Sequence, residues 1–309
     1  MWRLQGVEDR DASLFQEMAN KGHYANRGGT RQGIYVCTPK GELLSSINSL
    51  NPDYVLENIS VGLDKWNKLS PKIKNTPYHF DHTPDHRWEN SYPESGTVLK
   101  CTKVDLLSDP PNESERADRW NMDYVWFNSD ETKLWIKNNI KVGDSYNLPK
   151  IITDRFFRFH LVDNVRGQTL PFAPKEIKES NITLNVENIT DKIIQFKIEG
   201  KSKAIANGPW LLGENDWTPN YELNHSIATK LLGSATYNQV SNSFLKFEMV
   251  GIGERVGKTQ NNGRKNSPEE SHIGFLFELA GEKKSDKIAP AFVDLYNADW
   301  ISRPIVNIN

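Results

Sequence analysis

The sequence predicts an α+β chain, with a small helix–hairpin–helix front followed by a mainly antiparallel β domain. Three observations carry this. A strand–turn–strand–helix unit runs from Thr30 to Leu69. A Pro- and His-rich stretch without apolar periodicity follows it. Beyond it, apolar runs of strand length alternate with Asn- and Gly-rich turns. At 309 residues the chain is long enough for two domains. We expect residues 1–70 to form the front segment, 71–95 a linker or irregular loop, and 96–309 the β-rich domain with short helices.

Taken in order, Asp9 or Asp11 can cap a helix through Ala12, Leu14, Phe15 and Met18, whose spacing gives one apolar face. Gly22 and Gly28-Gly29 open a loop. Ile34–Cys37 is rich in β-formers, Pro39-Lys40-Gly41 supplies a tight turn, and Leu43–Ile47 returns. Asn51 or Asp53 caps the next helix, whose stripe Val55, Ile59, Leu63 and Trp66 is expected to dock on the hairpin. Strand candidates are Val98–Val104, Ile182–Val186, Ile193–Ile198, Ala235–Tyr237, Phe244–Ile252 and Ile273–Leu279. Phe244 to Val250 shows the period of two expected of a strand with one wet face. Trp120 to Trp126 fits either a strand or a helix. Ser129 caps a short helix through Leu134, Trp135 and Ile136, and Pro149 opens a helix through Ile151, Ile152, Phe156 and Phe157.

Bulk composition excludes several roles. The chain is 37% hydrophobic and 25% charged, with a net charge of -2, an ordinary globular balance. No basic field exists to attract nucleic acid, so nucleic acid is not an expected partner. No apolar run reaches the roughly 18–20 residues of a membrane span. Met1-Trp2-Arg3-Leu4-Gln5 does not read as a signal leader. The expected compartment is therefore the cytoplasm, or an extracytoplasmic space if an upstream leader has been removed. The two cysteines, Cys37 and Cys101, are expected as buried free thiols.

The unit Thr30–Leu69, with its strand, Lys-Gly turn, strand and amphipathic helix, resembles the closing half of a thioredoxin-like domain. The helix from Asp11 to Ala19 resembles the one that precedes it. The whole chain is also similar to uncharacterised bacterial proteins that join a thioredoxin-like piece to a β-rich domain. This resemblance implies a fold without its chemistry. There is no Cys-x-x-Cys, and Gln32-Gly33 stands where redox-active members carry a cis-proline. Cys37, inside an apolar strand, lacks the convergent sulfur and helix N-terminus that lower a thiol pKa.

Candidate chemistry falls in three places. His79, His82 and His86, spaced by three and four, could ligate a divalent metal such as Zn or Cu, with Asp81 and Asp85 nearby; alternatively they cap turns in a solvated loop. In the segment Arg155–Gln168, His160 and Asp163 could pair as imidazole and carboxylate, and Arg166 could hold an anion; alternatively the polar groups satisfy a buried turn. Trp120, Trp126, Phe127 and Trp135 could line a ligand groove or belong to the core. Gly251–Thr259 imitates a phosphate loop, but Gly251 and Gly253 are misplaced for it, so the glycines are expected to permit a bend or bulge. Lys258, Arg264 and Lys265 read as a small basic turn that could contact an acidic partner; alternatively it is a solvated loop.

The leading expectation is a non-catalytic protein that binds a small molecule or a protein partner. The alternatives are a metal-binding protein or metalloenzyme using His79, His82 and His86, and a thioredoxin-like redox protein truncated at its start.

Overall fold

The computed structural model describes residues 13–23, 31–79, 81, 92–106, 120–167, 169, 171–207, 223–259, 262–264, 267 and 269–291. The chain divides into two compact units, residues 1–87 and 88–309.

In the first unit, α1 (Ser13–Asn20) precedes an antiparallel hairpin of β1 (Ile34–Cys37) and β2 (Leu43–Ile47). The turn between them closes through Gly41 at φ 86°, a left-handed conformation that favours glycine. Asn51 caps α2 (Pro52–Lys68) by accepting a hydrogen bond from the Asp53 amide. The helix docks on the hairpin through a face of Val55, Ile59, Gly62 and Trp66, whereas Leu63 is half exposed. The expected stripe is therefore rotated. Gly62 is the point of closest approach, since a β-carbon there would stand 2.8 Å from Val36 Cγ1 and from Ser45 Oγ. A short α3 (Pro71–Lys74), capped by Ser70, occupies the start of the stretch read as irregular.

The second unit is built on one eight-stranded antiparallel sheet. Its strands are β3 (Thr97–Asp105), β4 (Trp120–Phe127), β5 (Ser145–Asn147), β6 (Ile177–Thr190), β7 (Ile193–Asn207), β8 (Asn224–Asn238), β9 (Ser243–Gly257) and β10 (Glu270–Leu279), in the spatial order β4-β3-β10-β9-β8-β7-β6-β5. Trp120–Trp126 is thus strand. Between β4 and β6 lie α4 (Ser129–Lys133) and α5 (Lys150–His160). Asn128, not Ser129, caps α4 in a capping box with Glu131, and Trp135 lies just beyond the helix end. Strands β6 to β9 run much longer than their apolar cores suggest, because charged residues occupy the outward positions of strands as well as loops. In β7, Lys197, Lys201 and Lys203 face out between buried Phe196, Ile198, Ser202 and Ala204.

The sheet curls around its own contents. Trp135 packs edge-on against Phe127 of β4 and against Phe244 and Phe247 of β9, with ring centroids 5.5 to 5.6 Å apart. Those strands are three places apart, about 14 Å in a flat sheet. α5 lies inside, with Ile152, Phe156, Phe157 and Phe159 all buried. Its Arg155 is buried too, paired with Glu131 and lying over the Phe127 ring.

Gly251 and Gly253 do not form a bulge: β9 stays in register with β8 and β10 through both. They face inward, where β-carbons would press on Leu231, Ile227 and Phe275, so their spacing reflects packing room. Gly257, at φ 78°, ends the strand.

Candidate functional site

Two features of the second unit carry most of its unusual chemistry. They lie on opposite faces of the same strands.

The first is an ionic cluster inside one end of the sheet. Inward-facing residues change character along the strands. β3 reads Leu99, Cys101, Lys103, Asp105; β4 reads Phe127, Val125, Asp123, Asn121; β9 reads Phe247, Met249, Gly251, Gly253, Arg255. Lys103 and Arg255 are about as buried as the core phenylalanines, at 0% and 1% exposed.

Two sets of contacts satisfy these charges. In one, Asp123 accepts from the Tyr124 and Ala291 amides at 2.8 Å and from His160 Nδ1 at 3.0 Å, with Lys103 Nζ at 3.9 Å. Lys103 Nζ donates to Asn164 Oδ1 at 2.9 Å, and Asn121 Nδ2 donates to the Asn164 carbonyl. Burial works to raise the Asp123 pKa, but the hydrogen bond from His160 and the Lys103 charge outweigh it and hold the carboxyl below its usual range. Burial depresses His160, against the pull of Asp123, so the imidazole is neutral and donates from Nδ1.

In the other set, Arg264 lies between two carboxylates. Its Nε and Nη2 donate to Asp163 at 2.9 and 2.7 Å, and its Nη2 and Nη1 to Asp105 at 2.6 and 3.1 Å. Arg166 donates to Asp105 at 2.5 Å and to Ser267 Oγ at 2.8 Å. Arg255 donates to Ser271 Oγ at 2.7 Å and stands 3.9 Å from Asp163. The two paired carboxylates drive the Arg264 pKa upward despite burial. Gly263, at φ 73°, brings this loop onto the chain at Arg166, where a β-carbon would meet the Arg166 carbonyl oxygen at 2.9 Å.

The structure divides His160, Asp163 and Arg166 between these two sets, with different partners from those expected. His160 pairs with Asp123 rather than Asp163, and Arg166 binds the Asp105 carboxylate. Arg264 is 2% exposed, which corrects its reading as part of a solvated turn; a bidentate arginine between two aspartates is stable inside. Lys103, Asp105 and Asp123 escaped the sequence reading. The available signal was a charge at the inward parity of an otherwise apolar strand.

The second feature is an apolar band on the outer face. Trp120 belongs here, 52% exposed, whereas Trp126, Phe127 and Trp135 are core. Register aligns two rows, one across β8, β9, β10, β3 and β4 and the other across β9, β10, β3 and β4, with Lys230 of β8 beside its first member. One is Leu232, Val250, Leu276, Thr102 and Met122; the other runs from Ile252 through Gly274 and Val104 to Trp120. Leu232, Val250, Ile252, Val104, Met122 and Trp120 are all exposed. A β-carbon at Gly274 would meet Leu106 Cδ2 at 3.0 Å and Val104 Cγ1 at 3.1 Å, so those side chains cover the glycine and keep the band continuous. At the β8 end the band opens into a depression of about 410 Å³ lined by Leu232, Val250, Ser234, Lys197, Glu187 and Glu248.

His79 is exposed in a segment of irregular structure after α3, while His82 and His86 lie outside the described residues. Among the described residues no group of three or more His, Cys, Asp or Glu converges as a metal site. Both cysteines are free: Cys101 is buried, and Cys37 only half so, a less enclosed position than expected. Burial pushes both thiols upward in pKa. No described helix is long and apolar enough to cross a membrane. No family model, no curated protein and no solved structure matches this chain.

Proposed function

We propose that this chain is a non-catalytic binding protein whose second unit presents the outer band to a protein partner. The observation that carries the reading is the alignment of outward apolar side chains across five hydrogen-bonded strands, exposed on β8, β9, β3 and β4 and half-buried at Leu276 of β10. Contiguous apolar surface on a sheet whose other side is already filled is a docking surface rather than core. The ionic end supports the non-catalytic part. Its charged groups are engaged with one another: Arg264 grips two aspartates side-on, and His160 is held by Asp123. The front unit brings one cysteine and no dithiol.

Site-specific photo-crosslinking in the source cells tests this. A benzoylphenylalanine at Val250 is expected to give a discrete adduct. The same group at Lys203, outward on β7 and beyond the band, is expected to give none. Equal labelling from both positions, or none from Val250, would overturn the reading.

A further inference from the structure

Resting on that reading, we propose that the band receives a single amphipathic helix of the partner, with lysine or arginine flanking its apolar stripe on both sides. The shape comes first. Five strands at a spacing of about 4.8 Å make the band about 20 Å long, and two rows of outward residues make it about 13 Å wide. A helix of about 13–14 residues matches that length, and its diameter of about 10–12 Å matches that width.

Charge sets the flanks. The outward series of β9 is Glu248, Val250, Ile252, Glu254, and that of β10 is Glu270, His272, Gly274, Leu276, Glu278. In register, Glu248 stands beside Glu278 on one border, with Glu254 beside His272 on the other and Glu270 one row beyond. The two central strands therefore present carboxylates on both sides of the apolar rows. A helix lying across them meets more acid than base along both of its edges, although Lys100 of β3 stands beside Glu278 and Lys230 of β8 beside Ile252. The depression at the β8 end takes a side chain from one helix terminus, with Leu232 and Val250 as its apolar lining and Lys197, Glu187 and Glu248 as its polar lining.

Other occupants fit less well. β8, β9, β10 and β3 are hydrogen-bonded on both sides, so within the band only the edge strand β4 has a side without a strand partner, and an added strand there would lie beside the band rather than on it. A second copy would find roughly 300 Å² of apolar face, against the roughly 800 Å² per partner of a stable complex.

The test uses the full chain and three synthetic peptides of about 14 residues, long enough to cross the band. Two share a leucine stripe and differ only in lysine or glutamate flanks. The third is the lysine peptide with a central proline. By fluorescence anisotropy at low salt, the lysine peptide is expected to bind at least about tenfold more tightly than the glutamate peptide, with the proline version lost. Val250→Ser removes binding, and the pair Glu248→Lys with Glu254→Lys inverts the preference. Equal binding by the two flanks, retained binding by the proline peptide, or a dimer by sedimentation that Val250→Ser abolishes would overturn the helix proposal. A Val250 crosslink without lysine-peptide binding removes this inference and leaves the binding reading standing.

Discussion

At one end of the second unit the two faces of β9 carry the opposite of the ordinary assignment. The inward residue is Arg255, 1% exposed, while the outward side of the same stretch carries Ile252 and Val256, 56% and 37% exposed, on either side of Glu254. The difference teaches that polarity alone does not place a residue. A buried charge is tolerated when its partners are geometrically complete, and the inner cluster supplies Asp163, Ser271 and the Gly257 carbonyl for Arg255. An exposed apolar side chain costs little singly. It acquires meaning when register lines it up with others, as Val250 is aligned with Leu232 and Leu276.

Breaking the inner face should have the largest effect. Arg264→Met removes the cation shared by Asp105 and Asp163 and leaves two buried carboxylates short of a partner. A loss of about 3–5 kcal/mol in urea unfolding at neutral pH is expected, with Arg264→Lys falling between because it cannot hold both bidentate pairs. Thiol labelling supplies a second readout. Cys101 faces inward on β3, fully buried, so its modification reports opening of the sheet and should accelerate by at least about a hundredfold in Arg264→Met. A variant as stable as the parent would show that the cluster does not hold the sheet end together.

Acid should weaken the same face more gradually. Burial lowers the pKa of His160 and of His225, which stacks on Phe172. Both therefore stay neutral in the folded state while the unfolded chain takes up protons below about pH 6.5, so stability falls as pH drops through that point. The slope is about 1 kcal/mol per pH unit for each histidine at its steepest. Asp123, held below its usual range, adds a further loss only below about pH 4. Thermal melts from about pH 7.5 to pH 5.5 are expected to decline, and His225→Gln should flatten the curve. A flat profile in the parent would contradict the neutral buried imidazoles.

The outer face should respond least. Val250→Ser and Ile252→Ser are expected to shift stability by no more than about 0.5 kcal/mol, since neither side chain is enclosed. A loss approaching that of Arg264→Met would mean that the band is covered in the free protein.

Much of the local structure was legible. The hairpin at Ile34–Ile47, the Pro149 start of α5 and the alternation of Phe244–Val250 all follow from short-range patterns. His160, Asp163 and Arg166 stand out in the sequence as polar neighbours among aromatics, and they fall into two different contact sets. Their partners were not legible, since Asp105 meets Arg264 across 159 positions and His160 meets Asp123 across 37. The rotation of α2 turned on Gly62, whose value lies in letting Val36 and Ser45 approach.

By itself the sequence determined the cores of most long strands, the hairpin of the first unit, and that β9 has two unlike sides, because dihedral preference and a period of two are properties of neighbouring residues. Only the tertiary structure decided which side would be closed, that Lys103, Asp123 and Arg255 would be inside it, and that Leu232, Val250, Ile252 and Trp120 would fall into line outside. Those outcomes depend on strand register and on charge pairs between distant segments. They exist only once the sheet has curled around α5.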